Sequence, residues 1–352
     1  MIYYIIPYIF AVLSSIFFYF SNKKNSIFIP FICLIPAIFI VLFRGNTGID
    51  TYTYLDYFRD LINSIESQSN FEIGFTFLSK LLIVFRLNER QAFAVIGFLI
   101  ILCICLSLKD SKKKNLFFSL LIFPIFFYDM TMNGLRYGIA FAISRLAVES
   151  LLKEKYIKFS LISFCAISMQ ISALIIIILF FIQEISKKYV FLLLFLFFSI
   201  ITLIINFVEL DLSYFYSKQD LYKELYSPDI TSGLSTVFLY LVVYIVFLIH
   251  SYKNTEKNIT IIHITLILEV LSFGLSKISY SGLRFQMLFL FVLLIYIENN
   301  LQLISNFKRF IILIAVVGVI GFFITARHFQ DKNDDDVLSP FLPYKFYWNE
   351  LN

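Results

Sequence analysis

Residues 91–108 read QAFAVIGFLIILCICLSL, an uncharged and mostly apolar stretch, and the lysine-rich sequence KDSKKK follows at 109–114. A transmembrane helix needs about 20 mainly apolar residues, because the hydrocarbon core of a bilayer is about 30 Å thick. Only helices and closed barrels satisfy backbone hydrogen bonds there, and a barrel would show short strands of alternating hydrophobicity instead. The stretch therefore predicts a membrane-spanning helix with positive charges at its cytoplasmic end.

The same pattern recurs along the chain. Of its 352 residues, 60% are hydrophobic and 15% charged, which is more apolar than a soluble domain whose surface must contact water. The other apolar segments lie at about 2–20, 26–43, 115–130, 137–152, 159–182, 189–208, 233–250, 259–275, 285–298 and 309–326. We predict an all-α polytopic integral membrane protein with about ten transmembrane helices, folded as a single membrane domain over residues 1–352.

Lysine residues predict the orientation, because short cytoplasmic loops are enriched in Lys and Arg. Clusters at 23–24, 109–114 and 153–158 fall on one face of the membrane, which is therefore the cytoplasmic face. Segment 159–182 has two interpretations. As one span it would place the following lysines outside, whereas two half-helices meeting near Gln170 would return the chain to the cytoplasm. The polar residues Ser168, Gln170 and Ser172 favour this broken-helix hairpin. The predicted extracytoplasmic parts are then loops 44–90, 131–136, 209–232 and 277–284 and the tail 327–352.

Composition argues against other kinds of site. The four cysteines lie in apolar runs and are expected to act as small buried hydrophobes. The three histidines are far apart in sequence, so no metal site is predicted. The net charge of +5 comes from clusters at the ends of apolar segments, which set topology and do not predict nucleic-acid binding.

Three arginines oppose the charge rule. Arg44 ends the second apolar segment, while Arg136 and Arg284 lie at the outer mouths of two later segments. A planar guanidinium binds phosphate oxygens in bidentate fashion, so three at one membrane depth predict a site for a multiply charged anion. The alternative for each arginine is that its guanidinium reaches to lipid head groups.

Four short blocks carry a family resemblance. They are FRGNTGIDTYTY at 43–54, FEIGF at 71–75, NGLRYGIA at 133–140 and PYK at 343–345. In order and spacing they resemble the EpsG family of bacterial polysaccharide polymerases, which are Wzy-like.

One position departs from the family pattern. The family usually has Phe-His-x-Ser where this chain has Met169-Gln170-Ile171-Ser172. Glutamine donates and accepts hydrogen bonds but does not exchange a proton near neutral pH. Gln170 is therefore not predicted to be a general base. Either the family histidine orients substrate, or another residue moves the proton in this chain.

The resemblance implies a metal-independent glycosyltransferase without a cofactor, in the bacterial cytoplasmic (inner) membrane, with its active site facing the periplasm or cell exterior. It would transfer a growing glycan from undecaprenyl diphosphate to a lipid-linked oligosaccharide repeat unit. The product would be O-antigen of lipopolysaccharide, capsule or exopolysaccharide. The implied partners are the undecaprenyl-diphosphate-linked oligosaccharide and membrane lipid, with a chain-length regulator as a further candidate.

The implied chemistry assigns roles to single residues. Arg136 and Arg284 are predicted to hold the departing diphosphate, because preorganised cations stabilise developing negative charge. Arg44 would contribute or hold the acceptor's diphosphate. Asp50 would accept the proton of the attacking hydroxyl, the alternative for Asp50 being a turn-capping role. Glu72, a predicted substrate-binding residue, is the second candidate for the proton acceptor. The other predicted substrate-binding residues are Gly48, Tyr54, Asn133, Gln170, Ser172 and Tyr344.

Two charged residues inside apolar segments are treated separately. Arg145 lies in the middle of a predicted span, and Glu149, one helical turn later, is its predicted partner in a structural pair. Glu269 has no partner that the sequence predicts.

Two other functions remain open. An O-antigen ligase, or another polyprenyl-phosphate-dependent glycosyltransferase, uses related chemistry. A ligase usually has one dominant late periplasmic loop, whereas here the early loop 44–90 is longer than the late loop 209–232. A lipid-linked oligosaccharide flippase or other transporter would spread charged residues through the membrane depth, often with internal repeats. This chain concentrates them at the outer face and has no repeat.

Overall fold

The computed structural model describes residues 1–22, 24–63, 71–184, 231–251, 260–330 and 341–350. Within these ranges the chain is helical and contains no β-strand, only an isolated antiparallel bridge between Arg44 and Phe346. The all-α class is thus confirmed. The predicted segment 189–208 and most of the predicted loop 209–232 lie outside the described residues.

The described helices are α1 (Ile2–Phe20), α2 (Phe28–Leu42), α3 (Thr51–Ile62), α4 (Ile73–Val84), α5 (Glu89–Leu108), α6 (Lys112–Phe117), α7 (Leu135–Leu152), α8 (Tyr156–Met169), α9 (Ala173–Glu184), α10 (Leu234–His250), α11 (Thr260–Leu275), α12 (Ser281–Asn299) and α13 (Phe307–Gln330). Two π-helical segments, Phe118–Phe127 and Asp129–Asn133, continue from α6 towards α7.

The apolar helices are those of a membrane protein. By length and composition, α1, α5, α12 and the Phe307–Arg327 part of α13 suffice to cross a bilayer, and α2, α4, α8, α9, α10 and most of α11 are shorter apolar helices. Large apolar side chains point outward, with Phe17 65%, Phe20 75% and Phe164 75% exposed. Lipid accepts such a surface and water does not. The number of about ten spans stays a prediction.

The predicted outer loop 44–90 contains regular structure, because α3 and α4 lie within it. The next helix, α5, begins with a capping box. The Asn88 side chain accepts a hydrogen bond from the Gln91 N–H at 2.8 Å, and the Gln91 side chain accepts one from the Asn88 N–H at 3.1 Å. Two of the N–H groups at the start of the helix are thereby satisfied.

The predicted break in segment 159–182 is present. Helix α8 ends at Met169, Gln170 is extended with φ −158° and ψ 130°, and α9 begins at Ala173. Ala140 of α7 packs with Ala166 and Ala173 on the two sides of this break, because small side chains let the helices approach closely. The return of α9 to the cytoplasmic face stays a prediction.

The chain divides into two compact units, residues 1–177 with 298–352 and residues 178–297. In the first unit the π-helical segment Phe118–Phe127 is buried along its whole length. Helix α13 packs directly on it, since a Cβ added to Gly318 would lie 1.8 Å from the Leu120 carbonyl oxygen. In the second unit residues 290–297 of α12 are buried. That the chain forms a single membrane domain stays a prediction.

Candidate functional site

The first family-like block packs against Met132 and against Asn133, which opens the third block, in the first unit. Gly48 has φ +110°, and a Cβ added to it would lie 2.2 Å from the Met132 carbonyl oxygen. Only glycine combines that backbone conformation with so close an approach. The side-chain oxygen of Asn133 accepts a hydrogen bond from the Asp50 N–H at 3.1 Å. Gly48 and Asn133, predicted to bind substrate, thus hold the loop before α3 against the start of α7.

The π-helical segment ends in a polar cluster. Asn133 donates from Nδ2 to Asp129 Oδ1 at 2.9 Å, and the Tyr137 hydroxyl donates to the other oxygen of Asp129. Sequence reasoning missed Asp129. Its signal was an acidic residue within the apolar segment 115–130, one turn before the family-like Asn133. Because π-helical turns recur at functional sites, this cluster fits a role in positioning the residues that follow.

Arg136 lies beside Glu72. Its Nη1 donates to Glu72 Oε2 at 2.8 Å, and both side chains are 19% exposed. The guanidinium carbon lies 4.3 Å from the centroid of the Phe71 ring. The Arg136 Nε has no hydrogen-bond partner among the described residues. The structure thus brings the second and third blocks together around one partly exposed cation.

The end of α8, just before the helix break, lies against the start of α4. A Cβ added to Gly74, two residues after Glu72, would lie 2.3 Å from Ser168 Oγ at the end of α8. Gln170 Oε1 and Ser172 Oγ are buried and have no hydrogen-bond partner in the described part of the chain. Two predicted substrate-binding residues therefore present unsatisfied polar atoms at the helix break.

Arg44 occupies a separate position. Its side chain stacks on Phe93, with the guanidinium carbon 4.0 Å from the ring centroid. It is 5% exposed, and its Nε and Nη1 make no hydrogen bond within the described ranges. Desolvation by burial lowers the pKa of Arg44 to about 9, since the charged form loses hydration.

The C-terminal tail holds Arg44 in place. The Gly45 N–H donates to the Lys345 carbonyl at 2.8 Å, and the Tyr347 N–H donates to the Phe43 carbonyl at 3.1 Å. The Tyr344 hydroxyl donates to the Ile40 carbonyl at 2.8 Å. Tyr344, predicted to bind substrate, is 8% exposed and anchors the tail.

Tyr54 and Asp50 both belong to the loop before α3 and its first turns. Tyr54 is 3% exposed, and its hydroxyl accepts a hydrogen bond from the Arg136 N–H at 3.4 Å. Asp50 is the N-cap residue of α3, yet its side chain makes no capping hydrogen bond to the described residues of that helix. Both the proton-accepting role and the turn-capping alternative for Asp50 stay predictions.

Arg284 belongs to the second unit, in the first turn of α12. Its guanidinium carbon lies 5.2 Å from the ring centroid of Tyr280. The convergence of Arg284 with Arg44 and Arg136 stays a prediction. In the same unit, Glu269 Oε1 accepts a hydrogen bond from Gln286 Nε2 at 3.2 Å, a partner that the sequence did not predict.

The predicted partner of Arg145 was wrong. Arg145 Nη2 donates to both carboxylate oxygens of Glu298, at 2.7 and 2.8 Å. Glu149, the predicted partner, instead accepts from Lys153 at 2.7 Å. The partner thus lies on another helix, α12, and is itself buried, while Arg145 Nε and Nη1 have no hydrogen-bond partner among the described residues.

The chain matches the EpsG family over residues 26–346, which includes the four family-like blocks. Comparison with curated proteins and with solved structures gives no match. Because the family match covers nearly the whole chain, this protein belongs to the EpsG family of Wzy-like polysaccharide polymerases.

Proposed function

We propose that this protein extends a polysaccharide at the outer face of the bacterial cytoplasmic membrane, transferring a growing glycan from undecaprenyl diphosphate to a lipid-linked repeat unit. The observation that carries the proposal is the convergence of three family-like blocks around Arg136. The family supports a polysaccharide polymerase in general. The lipid-linked donor and acceptor and the outward-facing site are the finer steps proposed here.

The reaction breaks the bond between the anomeric carbon of the donor glycan and its diphosphate oxygen. A hydroxyl oxygen of the acceptor sugar forms the new glycosidic bond and loses its proton. Negative charge therefore develops on the leaving diphosphate, and a preorganised cation stabilises it where water is scarce. Arg136 is positioned for this role, since it is only 19% exposed and its Nε has no partner within the described residues.

Glu72 is the favoured acceptor for the hydroxyl proton. Its carboxylate lies 2.8 Å from Arg136 Nη1, so both groups face one reacting centre. When Arg136 engages the diphosphate, Glu72 is released to accept the proton. Asp50, whose N–H is held by Asn133, remains the alternative acceptor.

Gln170 and Ser172 are proposed to orient sugar hydroxyls. Their unpartnered oxygens lie at the helix break, and both side chains accept and donate hydrogen bonds without changing charge. The proposed reaction uses no metal and no cofactor. A chain-length regulator remains a proposed partner.

The test is deletion of the gene and complementation, with the surface polysaccharide examined by gel electrophoresis. Loss of the ladder, with a single repeat unit still transferred to the final acceptor, is the expected result. Loss of both polymer and single repeat would indicate a flippase or a ligase and would contradict the proposal. In the complemented strain, Arg284→Ala should abolish the ladder at normal membrane levels of protein. A full ladder would remove Arg284 from the diphosphate site.

A further inference from the structure

The two helices between α2 and α5 expose opposite kinds of surface. Helix α3 carries an ion pair on its exposed side, with Arg59 Nη1 2.9 Å from Asp56 Oδ1 and side chains 51% and 39% exposed. Helix α4 instead exposes large apolar side chains, among them Ile73 at 87% and Phe77 at 67%. Water solvates the surface of α3, whereas an apolar surface such as that of α4 calls for a partner or for lipid.

The exposed side of α4 is an apolar stripe. It consists of four exposed residues at helical spacing, Ile73, Phe77, Leu81 and Val84. The opposite side of the helix is buried and holds Phe75 and Leu82. A helix that is apolar on both sides belongs in a protein core or in a membrane. Because the stripe is exposed, the environment that fits it is lipid, and Lys80 beside it is long enough to reach the interface.

The packing of α4 places its first turn beside a predicted membrane segment. A Cβ added to Gly74 would lie 2.3 Å from Ser168 Oγ, at the end of α8. Helix α8 belongs to the predicted segment 159–182, and its Leu161 and Phe164 are 65% and 75% exposed. A helix packed this closely on a membrane segment borders the same lipid. We therefore expect α4 to lie in the outer leaflet and not in water.

The stripe begins beside the candidate site. Glu72, which accepts a hydrogen bond from Arg136 at 2.8 Å, is the N-cap residue of α4, and Ile73 follows it as the first residue of the stripe. The 12 residues of α4 extend about 18 Å along the helix axis. A partly exposed cation and an apolar stripe thus adjoin. A lipid diphosphate has the complementary arrangement, an anionic group joined to a long apolar chain.

We propose that the apolar stripe of α4 binds the polyprenyl chain of the donor substrate, and that the Arg136 site opens sideways into the bilayer. The chain lies along α4 while the diphosphate is at Arg136, so the donor enters and leaves without exposing its chain to water, which would be costly. The proposal rests on the proposed function, because that function places the donor's diphosphate at Arg136.

The test is photo-crosslinking in full-length protein in phosphatidylcholine nanodiscs. The photoreactive residue p-benzoylphenylalanine replaces Phe77 or, as the matched control, Phe17 of α1, which is 65% exposed. The probe is undecaprenyl diphosphate radiolabelled at its phosphates. Position 77 should capture about tenfold more probe than position 17, because a diphosphate held at Arg136 raises the local concentration of its own chain.

Two further variants test the link to the candidate site. Arg136→Gln should lower the capture at position 77 to the level at position 17. Arg59→Gln, which removes a 51% exposed arginine of α3, should leave the capture unchanged. Should the protein with the replaced Phe77 fail to fold, the same replacement at Val84, which is 79% exposed, carries the test.

Three results would overturn the proposal. Equal capture at positions 77 and 17 would show that the stripe contacts ordinary bilayer lipid only. No lipid crosslink at position 77 would place α4 in water or against a second copy of the chain. Capture that persists in Arg136→Gln would separate the chain from the Arg136 site. Capture needs no turnover, so a failure of the proposed polymerase function would appear separately, in the gel of the deletion strain.

Discussion

Arg136 and Arg145 lie on the same helix, nine residues apart, or about 13 Å along its axis, yet their ion pairs differ in kind. Arg145 holds both oxygens of Glu298, and the side chains are 2% and 3% exposed. Arg136 contacts one oxygen of Glu72, and both are 19% exposed. The first pair is closed, in the sense that both side chains are buried, and it joins residues that are 153 positions apart in the sequence. The second is open, so a substrate anion can compete for its arginine.

The largest effect on stability is expected from Arg145→Ala. The change leaves Glu298 buried without its partner, which costs about 3–5 kcal/mol. The yield of folded protein and its thermal midpoint in detergent should both fall sharply. The double variant Arg145→Met with Glu298→Leu removes both charges and should recover most of the loss. A single variant as stable as the wild type would show that the pair is not closed.

A smaller loss of stability is expected from Gly48→Ala, which changes the loop packed against the start of α7, the helix that carries Arg136. The added Cβ would lie 2.2 Å from the Met132 carbonyl at φ +110°, a strain of about 1–3 kcal/mol. Because the loop before α3 would move off the start of α7, the polysaccharide ladder should also weaken.

Gly274→Ala in α11 is the matched control for Gly48→Ala. Among the described residues, nothing lies within 4 Å of the added Cβ, and alanine favours a helix over glycine. Its stability and its ladder should equal or exceed those of the wild type. An equal loss in the two variants would show that glycine at position 48 has no special role.

Glu72→Gln should abolish polysaccharide polymerisation with little loss of protein stability. The Arg136–Glu72 pair is partly exposed, so its loss should cost no more than about 1 kcal/mol. The ladder should nevertheless collapse, because the proposed proton acceptor is gone. Asp56→Asn, which removes a 39% exposed carboxylate paired with Arg59, is the control and should leave both properties unchanged. A normal ladder in Glu72→Gln would transfer the proposed role to Asp50.

The smallest effect is expected from Gln170→His, which restores the usual family residue. If this position orients substrate, the ladder should change by less than about twofold at neutral pH, judged by gel densitometry. General base catalysis contributes about 10²–10⁴-fold. A large gain on introducing histidine would therefore show that a proton acceptor had been missing, contrary to the proposed role of Glu72.

The sequence predicted those structural features that depend on residues close together in the chain. Continuous apolar runs predicted helices, and the polar residues near Gln170 predicted the break between α8 and α9. The blocks containing Arg44, Arg136 and Glu72 indicated the family and the candidate site residues.

Features that depend on distant contacts could not be predicted. Arg145 and Glu298 are 153 residues apart, whereas the sequence offers a partner only one helical turn away, which is why Glu149 was favoured. The docking of the tail beside Arg44 uses backbone hydrogen bonds in addition to the Tyr344 hydroxyl, and backbone hydrogen bonds leave no side-chain pattern in the sequence. Helices α3 and α4 have 12 residues each, too short to distinguish from a loop by hydropathy.

The most direct test of the open pair is the polysaccharide ladder of a deletion strain complemented with Arg136→Gln, normalised to protein in the membrane. Arg59→Gln, which neutralises a 51% exposed arginine, serves as the reference. We expect single repeat units and no ladder for Arg136→Gln, with normal membrane levels of protein, and a full ladder for the reference. A full ladder from Arg136→Gln would contradict this expectation.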